Sequence, residues 1–319
     1  MKIVITAREF SVHDAGLLEG LVKAGHEVAD YSGESMGTGT AEYIVYRAAE
    51  DADIAITGLE PYNEEVIRRC PKLKMISRRG IGYDSVDLAA CKQRGIILAR
   101  TAGMVEEAVA EHVMAYILHF ARNVEMQSMA MHDRQWSRIM MAGAKTRTLG
   151  LIGFGGIGME IAKRAVSFGM KVIYYCRHPK EEWEKEYHTV YCDLDQLLSV
   201  SDYVSVNVPL TEETRGMFGE ELFRKMKPES IFINTARGPV ADVAALKQVL
   251  QEGRIRGAAI DVFDAEPCTD SPLIGCPNVI LTPHTASYTS ENFDEMNRAA
   301  VQNVIDFINN KLSPGNRVI

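Results

Sequence analysis

Apolar residues fall along this chain in short blocks that alternate with stretches of helical spacing. Residues 3–6 form a β-rich run, and the next apolar positions, Ala15, Leu18, Leu21 and Val22, recur every three or four residues. That pairing predicts a strand followed by an amphipathic helix. Residues 54–57, after the turn-forming Asp51 and Asp53, are a second strand candidate, and 74–77 and 96–99 are two more, with a helix over 85–93 between them. An alternation of this kind before residue 100 is the pattern of a parallel sheet covered by helices.

From residue 106 to about 129 the pattern changes. Val109, Val113, Tyr116, Ile117 and Phe120 recur at helical spacing with almost no turn residues, which predicts one long helix able to cross from one domain to the next. A second alternating unit begins at 149, with strands over 149–152, 171–175, 203–208, 231–234, 257–262 and 278–281 and helices over 157–168, 194–199 and 243–251. So many repeats favour a doubly wound sheet over a sandwich or barrel. After His284 the chain turns helical again, with Met296, Ala300, Val304, Phe307 and Ile308 on one face. This last helix is expected to return to the first domain. No repeated motif marks the two halves as duplicates.

Length changes the picture from one domain to two, since 319 residues suit two domains of roughly 100 to 200 residues each. The formal net charge is −8, and no block of lysine and arginine stands out. Neither a nucleic acid nor a membrane surface is therefore an expected partner. Six cysteines, Cys70, Cys91, Cys176, Cys192, Cys268 and Cys276, form no CxxC pair, and the chain opens on a strand-like run rather than a signal peptide. Together these features predict a reduced, cytoplasmic protein with buried thiols and no metal site. No apolar stretch reaches the roughly 20 residues that span a bilayer.

The strongest chemical signal is Gly153-Phe154-Gly155-Gly156-Ile157-Gly158, which follows an apolar strand and opens a helix. In such a loop Gly153 makes the tight turn, Gly155 lets the backbone approach a pyrophosphate, and Gly158 allows close packing of helix on strand. The helix N-terminus then offers its unsatisfied N–H groups to the anion. An NAD(H) site usually has a carboxylate at the end of the next strand, about 20 residues on, to accept from the ribose. Here the strand runs into Cys176-Arg177-His178, with no carboxylate before Glu181. The cofactor is therefore NAD(H) or NADP(H), leaning to NADP(H), with Arg177 available to pair with a 2'-phosphate. An Arg177 stacked on adenine or facing solvent is the competing reading.

Further motifs stand in order along nearly the whole chain. They are Arg79-Gly80-Ile81-Gly82-Tyr83-Asp84 with Val86-Asp87, Ala108-Val109-Ala110-Glu111-His112, Val208-Pro209-Leu210-Thr211, Asn234-Thr235-Ala236-Arg237-Gly238, Asp261-Val262-Phe263 with Glu266-Pro267, and Thr282-Pro283-His284. With the glycine loop, their order and spacing resemble the D-isomer-specific 2-hydroxyacid dehydrogenase family, which includes phosphoglycerate dehydrogenases and glyoxylate or hydroxypyruvate reductases. The resemblance implies an α/β chain of two Rossmann-like doubly wound parallel-sheet domains with the cofactor cleft between them. Residues 1–99 plus 288–319 would form the catalytic, substrate-binding domain and 100–287 the dinucleotide-binding domain. It implies that Arg237 clamps the substrate carboxylate, that His284 is the acid/base with Glu266 as its carboxylate partner, and that the backbone at Gly80 and Ile81 binds the carboxylate from the other domain. Cofactor contacts carry over to Gly156, Ile157, Cys176 or Arg177, Val208, Pro209, Thr235, Ala236, Asp261, His284 and Ala286. A homodimer formed mainly through the cofactor domains is also implied.

The residue types suit that assignment by themselves. Arginine presents a rigid fork that matches a carboxylate bidentately. Histidine exchanges a hydroxyl proton near neutral pH, and a neighbouring carboxylate stabilises its charged form. His112 and His119, on the long helix, are expected to be packing or capping groups, and His13, His26, His132, His178 and His188 carry no site signal.

Two departures from the family pattern stand out. Val105 occupies a position where an asparagine is usual, and residues 137–148 lack the usual glutamate-leucine approach to the glycine loop. Both are expected to alter substrate shape or domain contacts without disturbing the catalytic trio that the resemblance implies. Arg78 and Arg138 resemble basic positions near a phosphorylated substrate, and nothing after Ile319 corresponds to a serine-sensing regulatory domain. Phosphoglycerate and glyoxylate or hydroxypyruvate are thus equally expected among small 2-hydroxy or 2-oxo acid substrates. A dinucleotide-sensing, corepressor-like interaction protein on the same fold is the alternative from another class.

Overall fold

The computed structural model describes residues 1–10, 15–33 and 36–319, and of Ala15 only the backbone. His13, and the Ala15 side chain that begins the first periodic stretch, lie outside the described residues. The chain divides into two compact units, Met1–Val105 with Thr289–Ile319, and Glu106–Tyr288.

In the first unit, strands β1 (Lys2–Ile5), β2 (Glu27–Asp30), β3 (Ile54–Thr57), β4 (Met75–Arg78) and β5 (Ile97–Arg100) form a parallel sheet in the order β2-β1-β3-β4-β5. Apolar runs occur because both faces are covered. Ile3, Ile5, Ile54, Ile56 and Met75 enter one core with Ala300, Val301 and Val304 of the C-terminal helix Ser290–Ile308. Val4, Ala55, Ile76 and Leu98 enter the other with Val66 and Ile67 of the helix Glu64–Arg69 and Ala90 and Cys91 of the helix Leu88–Arg94. Asp87 caps that last helix by accepting from the Ala90 amide at 2.9 Å, and Gly95, left-handed at φ 67°, ends it.

In the second unit, β6 (Thr148–Ile152), β7 (Lys171–Tyr175), β8 (Thr189–Tyr191), β9 (Tyr203–Val206), β10 (Ile231–Asn234), β11 (Gly257–Ile260) and β12 (Val279–Leu281) form a parallel sheet ordered β12-β11-β10-β9-β6-β7-β8. The order reverses between β6 and β9, which is the switch point of a doubly wound fold. Leu149, Leu151, Tyr203, Ile231 and Ile233 face the helices Glu106–Arg122 and Gly156–Ser167, while Ile152, Val204, Val206 and Phe232 face the helix Val243–Gln251 and its neighbours. Each such fully buried aliphatic or aromatic side chain contributes about 1.5–3 kcal/mol against exposure.

The single helix expected over 106–129 is two. Helix Glu106–Arg122 stops at Asn123, whose backbone is left-handed at φ 42°, and Val124–His132 begins anew with the Asn123 side chain accepting from the Met126 amide. Asparagine tolerates that conformation and caps the next helix, so the apolar period continues across a real break. Strands β2 and β8 carry no predicted run. Both lie at sheet edges, and with a sequence such as Glu27-Val28-Ala29-Asp30 neither needs a continuous apolar stretch. Among the described residues no helix is long and apolar enough to cross a membrane.

Candidate active site

Strand register assembles the site. Ile152 of β6 pairs with Tyr175 and Val206, Asn234 of β10 pairs with Val206 and Ile260, and Ile260 pairs with Leu281. One residue further along each strand puts Gly153, Cys176, Asn207, Thr235, Asp261 and Thr282 in a row at the carboxyl edge, where doubly wound sheets bind ligands.

Gly153 turns the chain at φ 98°, and a Cβ there would lie 2.6 Å from the Asn207 carbonyl oxygen. Only glycine fits both the dihedral and the approach. Gly155 stands at the N-cap of helix Gly156–Ser167 with no side-chain cap, and a Cβ on it would meet nothing within 4 Å. A helix N-terminus with no side-chain cap from Gly155 and open space at that residue fits the pyrophosphate of a dinucleotide, with the Glu106 side chain lying beside Gly156. Gly156 and half-buried Ile157 form the first turn, and Gly158 is buried behind them. Phe154 stacks on Tyr174 at 4.2 Å between ring centroids. The Tyr174 hydroxyl accepts from the Lys180 amide at 2.9 Å and donates to Glu184 at 3.0 Å, which ties down the loop after β7. In that loop the Cys176 thiol donates to the His178 carbonyl at 2.9 Å, and burial pushes its pKa up. Arg177 is exposed. A hydrogen bond from Thr211 holds Glu213 below the usual carboxylate range, and the charge of Arg177 adds to the effect. Val208 is half-buried and Pro209 exposed after β9, and Thr235 and Ala236 are half-buried after β10.

Arg237 follows them. Asn234 shapes its loop: its side chain donates to the Arg237 carbonyl at 2.9 Å and accepts from the Ala236 amide at 3.0 Å. Arg237 Nη1 donates to the Ala236 carbonyl at 2.7 Å. A Cβ on the next residue, Gly238, would lie 2.1 Å from the Phe263 carbonyl carbon, so glycine permits the backbone contact that brings this loop beside 263–266. There Glu266 Oε1 accepts from the Phe263 amide at 3.0 Å, and Glu266 Oε2 pairs with His284 Nδ1 at 2.7 Å. Burial opposes ionisation of Glu266. The hydrogen bond and charge of His284, the Phe263 amide and the field of Arg237 outweigh it and hold the carboxyl below the usual range. Because an ionised carboxylate only accepts, His284 carries a proton on Nδ1 and keeps Nε2 for another partner. His284 itself is left-handed at φ 55°, a conformation that costs a non-glycine residue about 1–3 kcal/mol and persists where surrounding bonds over-determine it.

Those bonds come from Asp261, which is fully buried. Its carbonyl accepts from the His284 amide at 2.8 Å, Oδ1 from the Thr285 amide at 2.8 Å and Thr282 hydroxyl at 2.5 Å, and Oδ2 from the Ala286 amide at 2.9 Å. Three residues missed in the sequence join this cluster. Tyr116 bonds the Thr282 hydroxyl, and His112 Nε2 lies 2.9 Å from the Tyr116 hydroxyl and 4.0 Å from Asp261 Oδ1. His112 is thus more than the packing group expected of it, whereas His119 does pack edge-on against Phe120. The i, i+4 spacing of His112 and Tyr116 was the available signal.

Arg78, Gly80 and Ile81 belong to the unit Met1–Val105 with Thr289–Ile319. Arg78 ends β4 and is buried, with Nη1 2.2 Å from where a Cβ on Gly80 would stand. The Gly80 amide donates to Thr101 at 2.8 Å, and Ile81 is half-buried. Val105 is buried, and Arg138 is exposed in a stretch without regular structure.

Against known proteins, the family described as D-isomer specific 2-hydroxyacid dehydrogenase, NAD binding domain, matches residues 114–286. A glyoxylate reductase of Korarchaeum cryptofilum is 38% identical over 279 residues, covering 85% of this chain and 84% of its own. Glyoxylate/hydroxypyruvate reductase B of Citrobacter koseri is 38% identical over 273 residues, covering 83% and 84%. Among solved structures, D-lactate dehydrogenase from Aquifex aeolicus, complexed with NAD and lactic acid, superposes with a TM-score of 0.84 at 30% identity over 100% of this chain and 99% of that one. With a family match over more than half its length and this identity to full-length reductases, the chain belongs to the D-isomer specific 2-hydroxyacid dehydrogenases, nicotinamide-dependent oxidoreductases that act on CH–OH donors.

Proposed function

We propose that this chain reduces short 2-oxo acids, glyoxylate and hydroxypyruvate first, with a preference for NADPH. The observation that carries the reading is the hydrogen-bonded His284–Glu266 pair at the sheet edge that also presents Arg237 and the glycine loop. The unit Glu106–Tyr288 acts as the dinucleotide-binding domain, and Met1–Val105 with Thr289–Ile319 as the substrate-binding domain. Gly153, Gly155, Gly156, Ile157 and Gly158 hold the pyrophosphate. Cys176 and Arg177 meet the adenosine ribose, and Val208, Pro209, Thr235, Ala236, Asp261, His284 and Ala286 line the rest of the cofactor. A bound nicotinamide supplies the hydride in reduction and takes it in oxidation. Arg237 fixes the substrate carboxylate and favours charge developing on the carbonyl oxygen. His284 gives the proton from Nε2 to that oxygen in reduction and takes it back from the hydroxyl in oxidation.

Crossing NADPH and NADH with glyoxylate, hydroxypyruvate, pyruvate and 3-phosphohydroxypyruvate tests both substrate and cofactor. A thiol accepts weakly and arginine not at all, so the ribose hydroxyl of NADH lacks a good partner at Cys176-Arg177. Arg177 adds a charge-assisted bond to a 2'-phosphate, moderated by solvent and by Glu213. NADPH should bind about tenfold to a hundredfold more tightly than NADH. Arg177→Ala should erase much of this preference, and Cys176→Asp should turn it toward NADH. Tighter NADH binding by the wild-type protein would refute the preference, and cofactor binding without turnover of any oxo acid would point to a sensor.

The assembly proposed is a two-fold homodimer. Helix Val124–His132 buries none of its side chains, and Val124, Met129 and Met131, with Trp136 and Met140 just beyond it, are exposed at 54% or more. Clustered apolar exposure of this kind marks an interaction surface. Light scattering should return about twice the 35.4 kDa chain mass, and Met129→Asp with Trp136→Ser should lower it toward one. A fully active wild-type monomer would contradict this assembly.

A further inference from the structure

We propose that His112 and Tyr116 are positioning residues that set the loop carrying His284 through a directed chain of hydrogen bonds ending at Asp261. The inference rests on the reading of His284 as the acid/base. Direction follows from counting protons. The one hydroxyl proton of Thr282 goes to Asp261 Oδ1 at 2.5 Å, so Thr282 accepts from the Tyr116 hydroxyl. Tyr116 has then used its own proton and accepts from His112 Nε2–H at 2.9 Å. Each bond polarises the next in a half-buried setting.

The end of the chain is where the geometry matters. The Asp261 carboxylate that receives it also receives the Thr285 and Ala286 amides, immediately after His284, while the Asp261 carbonyl receives the amide of His284 itself. Four bonds from one residue thereby hold the left-handed turn that aims the imidazole at Glu266. Two consequences follow for the helix Glu106–Arg122. His112 is the Nε2–H tautomer, and burial, which outweighs the field of Asp261, keeps its pKa below the ordinary histidine value. Burial acts in the opposite direction on Tyr116, raising its pKa well above the ordinary tyrosine value, so it stays a donor throughout the working pH range.

Three variants test this: Tyr116→Phe, His112→Leu and His112→Gln, the last retaining an N–H at similar reach. Each is measured for kcat and KM on the best 2-oxo acid and for hydrogen exchange of the 282–288 segment. Tyr116→Phe and His112→Leu should lose about tenfold in kcat, as misplacement of a reacting group does, with KM little changed because Arg237 is outside the chain of bonds. Both should exchange the Thr285 and Ala286 amides faster. His112→Gln should recover most of the kcat and most of the protection. Unchanged kcat in Tyr116→Phe, or equal losses in His112→Gln and His112→Leu, would overturn the proposal. Exchange needs no substrate, so if the wild-type protein turned over no oxo acid the functional reading would fall, while unchanged protection in Tyr116→Phe would separately defeat the relay.

Discussion

Replacement of Arg237 by lysine is expected to lower kcat/KM on the best 2-oxo acid by on the order of 10³-fold, about 4 kcal/mol of transition-state stabilisation. The charge survives that change, so the expected loss comes from geometry. A guanidinium offers paired parallel donors to a carboxylate, whereas an ammonium acts as a point charge on a flexible stem. The loop around Arg237 is built for a fixed direction. Asn234 bonds it on both sides, Arg237 Nη1 is anchored on the Ala236 carbonyl, and Gly238 lets the chain pass against Phe263. Lysine reaches from the same backbone but has no second nitrogen with which to keep both the anchor and the substrate. Steady-state kinetics checks the prediction, with cofactor dissociation constants measured alongside. Near wild-type kcat/KM in Arg237→Lys would remove Arg237 from its assigned role.

Glu266→Gln is expected to lower kcat by on the order of 10²-fold, toward the lower end of what a positioned acid/base contributes. Glutamine keeps the size of the side chain and the bond from the Phe263 amide. It loses the charge, and its amide can offer either oxygen or nitrogen to His284 Nδ1, so the tautomer with Nε2 ready for substrate is no longer imposed. The same residue predicts a pH dependence. The folded-state pKa of Glu266 is depressed: burial pushes against ionisation, but His284, the Phe263 amide and Arg237 prevail. Its contribution to stability is therefore fully present above the unfolded value, near about 4.3, and is lost as pH falls through the lower folded value. Unfolding measured across an acid series should show a shallower acid limb for Glu266→Gln than for the wild-type protein. Coincident acid limbs together with unchanged kcat would show that the pair does not act as assigned.

The sequence alone determined the features that local chemistry imposes. Buried parallel strands need apolar side chains on both faces, so runs such as Ile54-Ala55-Ile56 and Ile231-Phe232-Ile233 were visible without neighbours. The glycine loop was legible because Gly153 meets a steric demand of its own turn, and Arg237, Glu266 and His284 because they sit in spaced motifs of a recognisable family. Tertiary structure decided what depends on residues far apart in the chain. Edge strands β2 and β8 exist because a neighbour pairs with them, and Asn123 splits a helix through a backbone conformation that apolar spacing does not record. Arg78, whose local context resembles a basic position near a phosphorylated substrate, is buried beside Gly80. His112 meets Thr282 and Asp261 only because the sheet brings the ends of β11 and β12 beside the helix Glu106–Arg122, some 149 and 170 residues along the chain. A hydrogen bond is a short-range interaction, and partners so distant in sequence become neighbours only when the whole fold closes the intervening chain.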